Sequence, residues 1–313
     1  MAQTNMKAVV CKSYGPPEVL EIQEVPLVQI KQNEVLVKII ATTVNSGDIR
    51  VRSLGVNGLM RLIMRLIMGW SKPRKSILGT VYSGIITECG SSVSNFTTGN
   101  EVFGLTRFRF GCYAEYTAVN ALGNICLKPV NATHQEAASV LFGGQSAYYF
   151  LKKSGIFQMQ NPEVLIYGAT GAVGSSAVQI ANYCNANVWA VGSSRGKELI
   201  QLLHPKHYIL YDKEDYTKCH QKFDIIFDAV GHINKKECQH LLKPKAKFLS
   251  VKGLDIASES LEQIQFLKKL VENKNFIPVI DRIFPLSDVV EAHRYVETNR
   301  KKGSVVLEIL DKI

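Results

Sequence analysis

Val164-Leu165-Ile166-Tyr167-Gly168-Ala169-Thr170-Gly171-Ala172-Val173-Gly174 passes from strand chemistry to helix chemistry in a few residues. The apolar run Glu163–Tyr167 predicts a buried strand, and the small-residue segment Ala172–Cys184 predicts a helix. In that context the glycines between them match a dinucleotide-binding fingerprint. Gly171 lets the backbone approach a pyrophosphate, and Gly174 lets the helix pack closely on the strand. The helix N-terminus offers unpaired N–H groups and a partial positive charge. Ala169, Thr170, Gly171, Ala172, Val173 and Gly174 are therefore candidate cofactor contacts. The usual first glycine of the fingerprint is Ala169 here, with Gly168 just before it. The competing reading is a tight strand-to-helix turn with no ligand.

Downstream, the pattern of strands alternating with helices continues. Asn187–Val191, Tyr208–Leu210, Phe223–Asp228 and Phe248–Val251 read as strands, and Gly196–Leu203 as a helix. Near-continuous apolar strands separated by helices predict a parallel sheet covered on both faces, an α/β doubly wound Rossmann domain. The end of the second strand bears on the cofactor. An acid about 20 residues beyond the glycines usually binds the ribose hydroxyls of NAD. That strand ends Ala190-Val191-Gly192-Ser193-Ser194-Arg195-Gly196-Lys197, with no carboxylate. Hydroxyls and cations there favour a 2′-phosphate, and so NADPH, with Lys197 and Ser193 or Ser194 as its partners and Arg195 alongside. A basic helix start facing water is the alternative.

Upstream, Lys7–Cys11, Glu34–Ala41, Gly84–Glu88, Glu101–Leu105 and Ala114–Val119 read as short strands between turns, an all-β module resembling a partly closed barrel. The C-terminal segment predicts a strand at Phe276–Ile280, a helix at Ser287–Thr298 and a strand at Ser304–Ile309. Borders are expected near 1–127, 128–275 and 276–313. A chain of 313 residues with 46% hydrophobic and 20% charged content can build a core without cross-links. Its net charge of +10 favours anionic ligands without choosing among them. Seven cysteines lie scattered, with no CxxC pair, which fits neither a disulfide framework nor a zinc knuckle. This usage, and an N-terminus lacking signal-peptide character, lead us to expect a cytoplasmic protein.

Taken together, these motifs resemble the zinc-independent quinone oxidoreductase group of the medium-chain dehydrogenase/reductase superfamily. The resemblance rests on Thr43-Val44-Asn45-Ser46-Gly47-Asp48, Ile77-Leu78-Gly79-Thr80, Gly111-Cys112-Tyr113-Ala114-Glu115-Tyr116 and Phe142-Gly143-Gly144-Gln145-Ser146-Ala147. It continues through Gly168–Gly174, Phe227-Asp228-Ala229-Val230-Gly231 and Ala292-His293-Arg294-Tyr295, and covers essentially the whole length. It implies a GroES-like β-barrel catalytic domain, formed by the first and last parts of the chain, around the inserted Rossmann domain. It also implies a homodimer, and cofactor contacts from Gln145, Ser146, Tyr211 and Gly231. Ser304 replaces a basic residue often found before the final strand, which weakens transfer of a phosphate contact there.

In zinc-dependent relatives a cysteine precedes the aspartate by three positions, and Gly-His-Glu follows later. The matching positions here are Asn45 and Gly79-Thr80-Val81, and the four-cysteine structural lobe is missing, so no metal is expected. The resemblance then implies hydride transfer from NADPH to a small apolar carbonyl or quinone substrate, either quinone reduction or reduction of the activated C=C bond of an enone or alkenal. Asn45 would offer amide N–H groups to the substrate carbonyl, and Asp48 would position Asn45, a water or the nicotinamide ribose. A structural Asx turn is the competing role for both residues. Tyr82 fits a packed aromatic better than a proton donor, and Asp228 fits a strand-end turn as well as a direct role. The alternative function is an NADPH-binding protein with little catalysis that contacts RNA through its basic surface. No RNA-binding motif is present and basic residues are dispersed, so no specific nucleic acid binding is expected. Residues 59–75 are apolar, Met-rich and basic, with Arg61 and Arg65 on one helical face. Two readings stand: a wall of the substrate pocket, or a peripheral membrane contact.

Overall fold

Glu163–Tyr167 forms the central strand of a five-stranded parallel sheet in a computed structural model that describes residues 4–55, 58–253, 255 and 257–309. In chain order the elements are β1 (Asn5–Cys11), β2 (Leu20–Pro26), β3 (Glu34–Val44), α1 (Ser46–Ser53), α2 (Gly58–Met68), β4 (Val81–Cys89), β5 (Glu101–Leu105), β6 (Tyr116–Asn120), β7 (Ile125–Leu127) and α3 (His134–Ser154). They continue with β8 (Glu163–Tyr167), α4 (Ala172–Tyr183), β9 (Asn187–Gly192), α5 (Lys197–Leu202), β10 (His207–Leu210), β11 (Phe223–Asp228), β12 (Leu242–Ser250), α6 (Leu261–Glu272), β13 (Ile280–Pro285), α7 (Val289–Glu297) and β14 (Ser304–Glu308).

Two compact units emerge. One comprises residues 142–258 and 269–279, the other residues 1–141, 259–268 and 280–313. In the first, the strand order is β10-β9-β8-β11-β12, all parallel. Counted from β8, this is the 3-2-1-4-5 order of the dinucleotide-binding fold. Val164, Leu165 and Ile166 are fully buried, as expected for a central strand covered on both faces. Small residues Ala172, Gly174, Ser175, Ser176, Ala177 and Ala181 let α4 lie close to the sheet, and all are buried. The helix ends where Asn185 adopts a left-handed backbone (φ +55°), with Ala186 N–H bonded back to the Ala181 carbonyl.

The second unit is built on β3. It pairs antiparallel with β4 on one side, and its two halves pair with β6 and β14. The sheet runs β13-β14-β3-β4-β5-β7. Val35, Val37, Ile39, Ile86, Val102, Ile125 and Leu307 from these strands share one buried cluster. β1 and β2 form a ribbon tied on by bridges Ala8–Ala114 and Val10–Ile77.

Several expected elements moved. The strand expected at Phe276–Ile280 lies instead at Ile280–Pro285. Gln179 explains the shift: its side chain accepts from the Ile277 N–H and donates to the Ile277 carbonyl. Pro278 has no N–H to give a ladder. The strand expected from Phe248 begins at Leu242, because pairing with β11 skips from Leu242 to Lys247 across an irregularity. No described helix is long and apolar enough to cross a membrane.

Candidate functional site

The Rossmann unit brings the expected cofactor residues together. N–H groups of Gly168 and Ala169 both donate to the Val191 carbonyl, joining the glycine loop to the end of β9. Gly168 has φ +80°, and a Cβ there would meet Val230 at 2.2 Å. A Cβ on Gly174 would lie 2.0 Å from the Gly168 carbonyl oxygen, so both glycines serve the turn itself. Gly171 differs. Its φ is −77°, and an added Cβ would meet nothing closer than 3.6 Å. Nothing in the protein requires glycine there, so the bare backbone leaves room for something outside it. Gly171 is also the N-cap of α4 and supplies no capping side chain, leaving the first N–H groups of the helix free for an anion. These residues fit a dinucleotide pyrophosphate.

Neighbouring positions complete the cradle. A Cβ on Gly196 would meet the Thr170 side chain at 2.5 Å, which sets Ser193–Lys197 against the glycine loop. Tyr211 N–H donates to the Gly192 carbonyl, and the exposed Tyr211 ring stacks on Tyr167. On α3, a Cβ at Gly143 would touch the Ala172 carbonyl at 2.2 Å, so α3 presses on the start of α4. Ser146 lies one turn on from Gly143, on the same face and half-buried. Gly231 takes φ +83° beside Lys252. Asp228 resolves as a strand-end anchor: its fully buried carboxylate accepts from the N–H groups of Val230, Gly231, His232 and Ile233 and from the Ser250 hydroxyl.

One residue escaped the sequence reading. Asp212, after β10, accepts hydrogen bonds from the Ser194 N–H (2.6 Å) and hydroxyl, which hold its carboxyl below the usual range. The β9 end carries no acid of its own, but the fold delivers one beside it. Ser194 is thereby engaged, leaving Ser193, Arg195 and Lys197 as the free candidates for a 2′-phosphate. Parallel pairing of β9 with β10 carries the signal, and spacing along the chain does not.

In the other unit, Asn45 caps α1. Its Oδ1 accepts from the N–H groups of Gly47 (2.8 Å) and Asp48 (3.1 Å), while Asp48 Oδ2 accepts from the Asn45 N–H (3.1 Å). This capping box fixes the amide orientation, because the oxygen must face the two N–H donors. The amide nitrogen therefore faces outward from the cap, 3.4 Å from the Thr80 hydroxyl. Thus the positions matched to two zinc ligands of zinc-dependent relatives hold an amide beside a hydroxyl. Among the described residues, no group of three or more His, Cys, Asp or Glu side chains could hold a metal ion.

Asp48 is fully buried, and burial pushes its pKa up to about 7, against lowering by Asn45, the Tyr113 hydroxyl and the Gly79 amide. Its Oδ1 has no partner of normal geometry. Tyr113 meets the buried His293 edge-on, with ring centroids 5.7 Å apart. Burial, and then the Arg52 charge, drive the His293 pKa down to about 3, so this imidazole is neutral. Arg52, wholly buried, donates to the Gly15 carbonyl and pairs with Glu297. Tyr113 and His293 lie within the quoted motifs, but their meeting depends on α7 packing in this unit. Tyr82 is fully buried, with its hydroxyl 3.4 Å from the Asn124 carbonyl, a packed aromatic. Ser304 is buried and donates to the Ser139 carbonyl.

Residues 31–161 match the alcohol dehydrogenase GroES-like domain family, and residues 254–307 match a zinc-binding dehydrogenase family. The chain is 31% identical to a 2-methylene-furan-3-one reductase of Solanum lycopersicum, over 97% of this chain and 79% of that protein. It belongs to the zinc-type alcohol dehydrogenase-like medium-chain dehydrogenase/reductase superfamily, in the quinone oxidoreductase-like group. Members of this superfamily are oxidoreductases working with nicotinamide cofactors. Another member, the chloroplastic NADPH-dependent alkenal/one oxidoreductase of Arabidopsis thaliana, is 27% identical over 96% of this chain and 79% of its own length. The quinone oxidoreductase of Coxiella burnetii superposes with a TM-score of 0.82 at 25% identity, covering 98% of this chain and all of the other. The superfamily fold therefore extends over both units.

Proposed function

We propose that this medium-chain reductase uses NADPH to reduce the activated C=C bond of enones and alkenals, with quinones as the second substrate class. The observation that carries the reading is the Asn45–Thr80 pair. When bound, NADPH would supply hydride to the β-carbon of the substrate; negative charge would develop on the carbonyl oxygen, and a proton from solvent would complete the reduction. The Asn45 amide nitrogen and the Thr80 hydroxyl are neutral donors suited to that charge. Asn45 is the candidate catalytic residue. Asp48, wholly buried, is a positioning residue that locks Asn45 through the capping box. Gly171, Gly174 and the α4 N-terminus would hold the pyrophosphate, with Ser146 beside them. Lys197, Arg195 and Ser193 would hold the 2′-phosphate. The names of the tomato and Arabidopsis relatives, a furanone reductase and an alkenal/one oxidoreductase, support the substrate class.

NADPH consumption by the purified protein tests this with an alkenal, an enone, a quinone and a simple ketone, and with NADH as the control. Turnover of alkenal or enone, reduced by Asn45→Ala, supports the proposal. A response to quinone alone moves the assignment to quinone reduction. Tight NADPH binding without turnover of any substrate favours the binding-protein alternative.

A further inference from the structure

Helix α2 is seated with its apolar surface outward. Met68 packs against the core cluster of its unit, and Met64 and Arg65 are half-buried on the same side. Leu62, Ile63, Leu66 and Ile67 occupy the opposite face, with Leu66 60% and Ile67 65% exposed. Trp70, just past the helix, is 61% exposed. A helix packed on a core turns its apolar stripe inward, so this arrangement is inverted. Contiguous exposed apolar surface of this kind marks an interaction site.

The inversion is built in at the C-terminal end. Gly69 N–H donates to the Arg65 carbonyl, the Arg74 guanidinium to the Leu66 carbonyl, the Arg74 N–H to the Met68 carbonyl and the Tyr14 hydroxyl to the Gly69 carbonyl. Gly69 has φ +127°, and a Cβ there would lie 2.2 Å from the Lys72 carbonyl oxygen. These hydrogen bonds fix the C-terminal end of the helix.

Charge identifies the occupant. No carboxylate occurs from Ile49 to Thr87, while Arg50, Arg52, Arg61, Arg65, Lys72, Arg74 and Lys75 fall in that span. Arg61 is exposed on the helix, and Lys72, Arg74 and Lys75 are exposed just past its C-terminal end. Leu, Ile and Trp flanked by Lys and Arg, on a helix too short to span, form an interfacial anchor. We propose that this face docks on an anionic lipid bilayer, holding the enzyme peripherally at a membrane surface.

The test is co-sedimentation of the full chain with phosphatidylcholine vesicles, with and without about 30% phosphatidylglycerol, at low and high salt. The wild type should sediment with the anionic vesicles at low salt and not with phosphatidylcholine alone. Lys72→Gln/Lys75→Gln should weaken binding about fivefold per lysine. Leu66→Glu/Ile67→Glu should abolish it, with thermal stability and NADPH binding retained, since both side chains are exposed. Three results would overturn the proposal: no sedimentation of the wild type, sedimentation of the glutamate variant like the wild type, or a change in that variant's mass by light scattering. The last would assign the face to a second copy of the chain.

Discussion

Asp48 and Asp212 are two carboxylates set apart by environment. Burial holds Asp48 protonated up to about pH 7, against an ordinary 3.8. Between those values the folded protein keeps a proton that the unfolded chain releases, so this residue lowers stability as pH rises through the window, with no further loss above it. Asp48→Asn should remove that slope, and urea midpoints of both proteins at acid and alkaline pH would show it. A wild-type midpoint no more sensitive to pH than the variant's would contradict the burial argument. Asp212 is exposed and ionised beside Ser194. Its negative charge opposes a 2′-phosphate, so Asp212→Asn should tighten NADPH binding several-fold while leaving NADH nearly unchanged. Lys197→Ala should weaken NADPH about tenfold with the same selectivity. Fluorescence titration with both cofactors measures each, and equal effects on NADH would reject the 2′-phosphate assignment.

At the scale of the element, the strand-to-helix turn gives the sharpest contrast. Gly174→Ala drives a methyl onto the Gly168 carbonyl and should cost about 1–3 kcal/mol of stability. Gly171→Ala meets only ordinary contacts at a permitted φ, and its entropic gain is opposed by alanine's poorer N-capping, so stability should change by less than about 1 kcal/mol. NADPH affinity should nevertheless fall by about tenfold or more, because the methyl would occupy the cradle. Thermal melts and cofactor titration on the two variants separate these roles. If Gly171→Ala binds NADPH like the wild type, the pyrophosphate lies elsewhere.

For the molecule as a whole, the parallel sheet of the described residues stops at β12, where the six-stranded dinucleotide-binding order would add another strand. That edge carries Pro244 and a left-handed Lys245 (φ +66°) within its irregularity, features that discourage edge pairing. Charge reversal at Lys245 should therefore leave the light-scattering mass unchanged. Prolonged chelation should not lower NADPH oxidation, given the Asn45 and Thr80 pair. Much of this was legible in the residues. Glu163–Tyr167, Phe223–Asp228 and Glu101–Leu105 matched their strands, because short, mainly apolar runs bounded by polar and turn-forming residues leave few other choices. The glycine loop was readable because its meaning is local, a turn and the helix it opens. Asp212 beside Ser194, His293 against Tyr113, and the loss of a strand at Ile277 to the Gln179 side chain depend on partners from 18 to 180 residues away in the chain. The sequence by itself determined the strand-helix alternation, the fingerprint and the absence of zinc-ligand types at Asn45 and Thr80. Only the tertiary structure decided which carboxylates are buried or paired and which face of α2 looks outward, because desolvation and side-chain pairing arise only when distant segments pack.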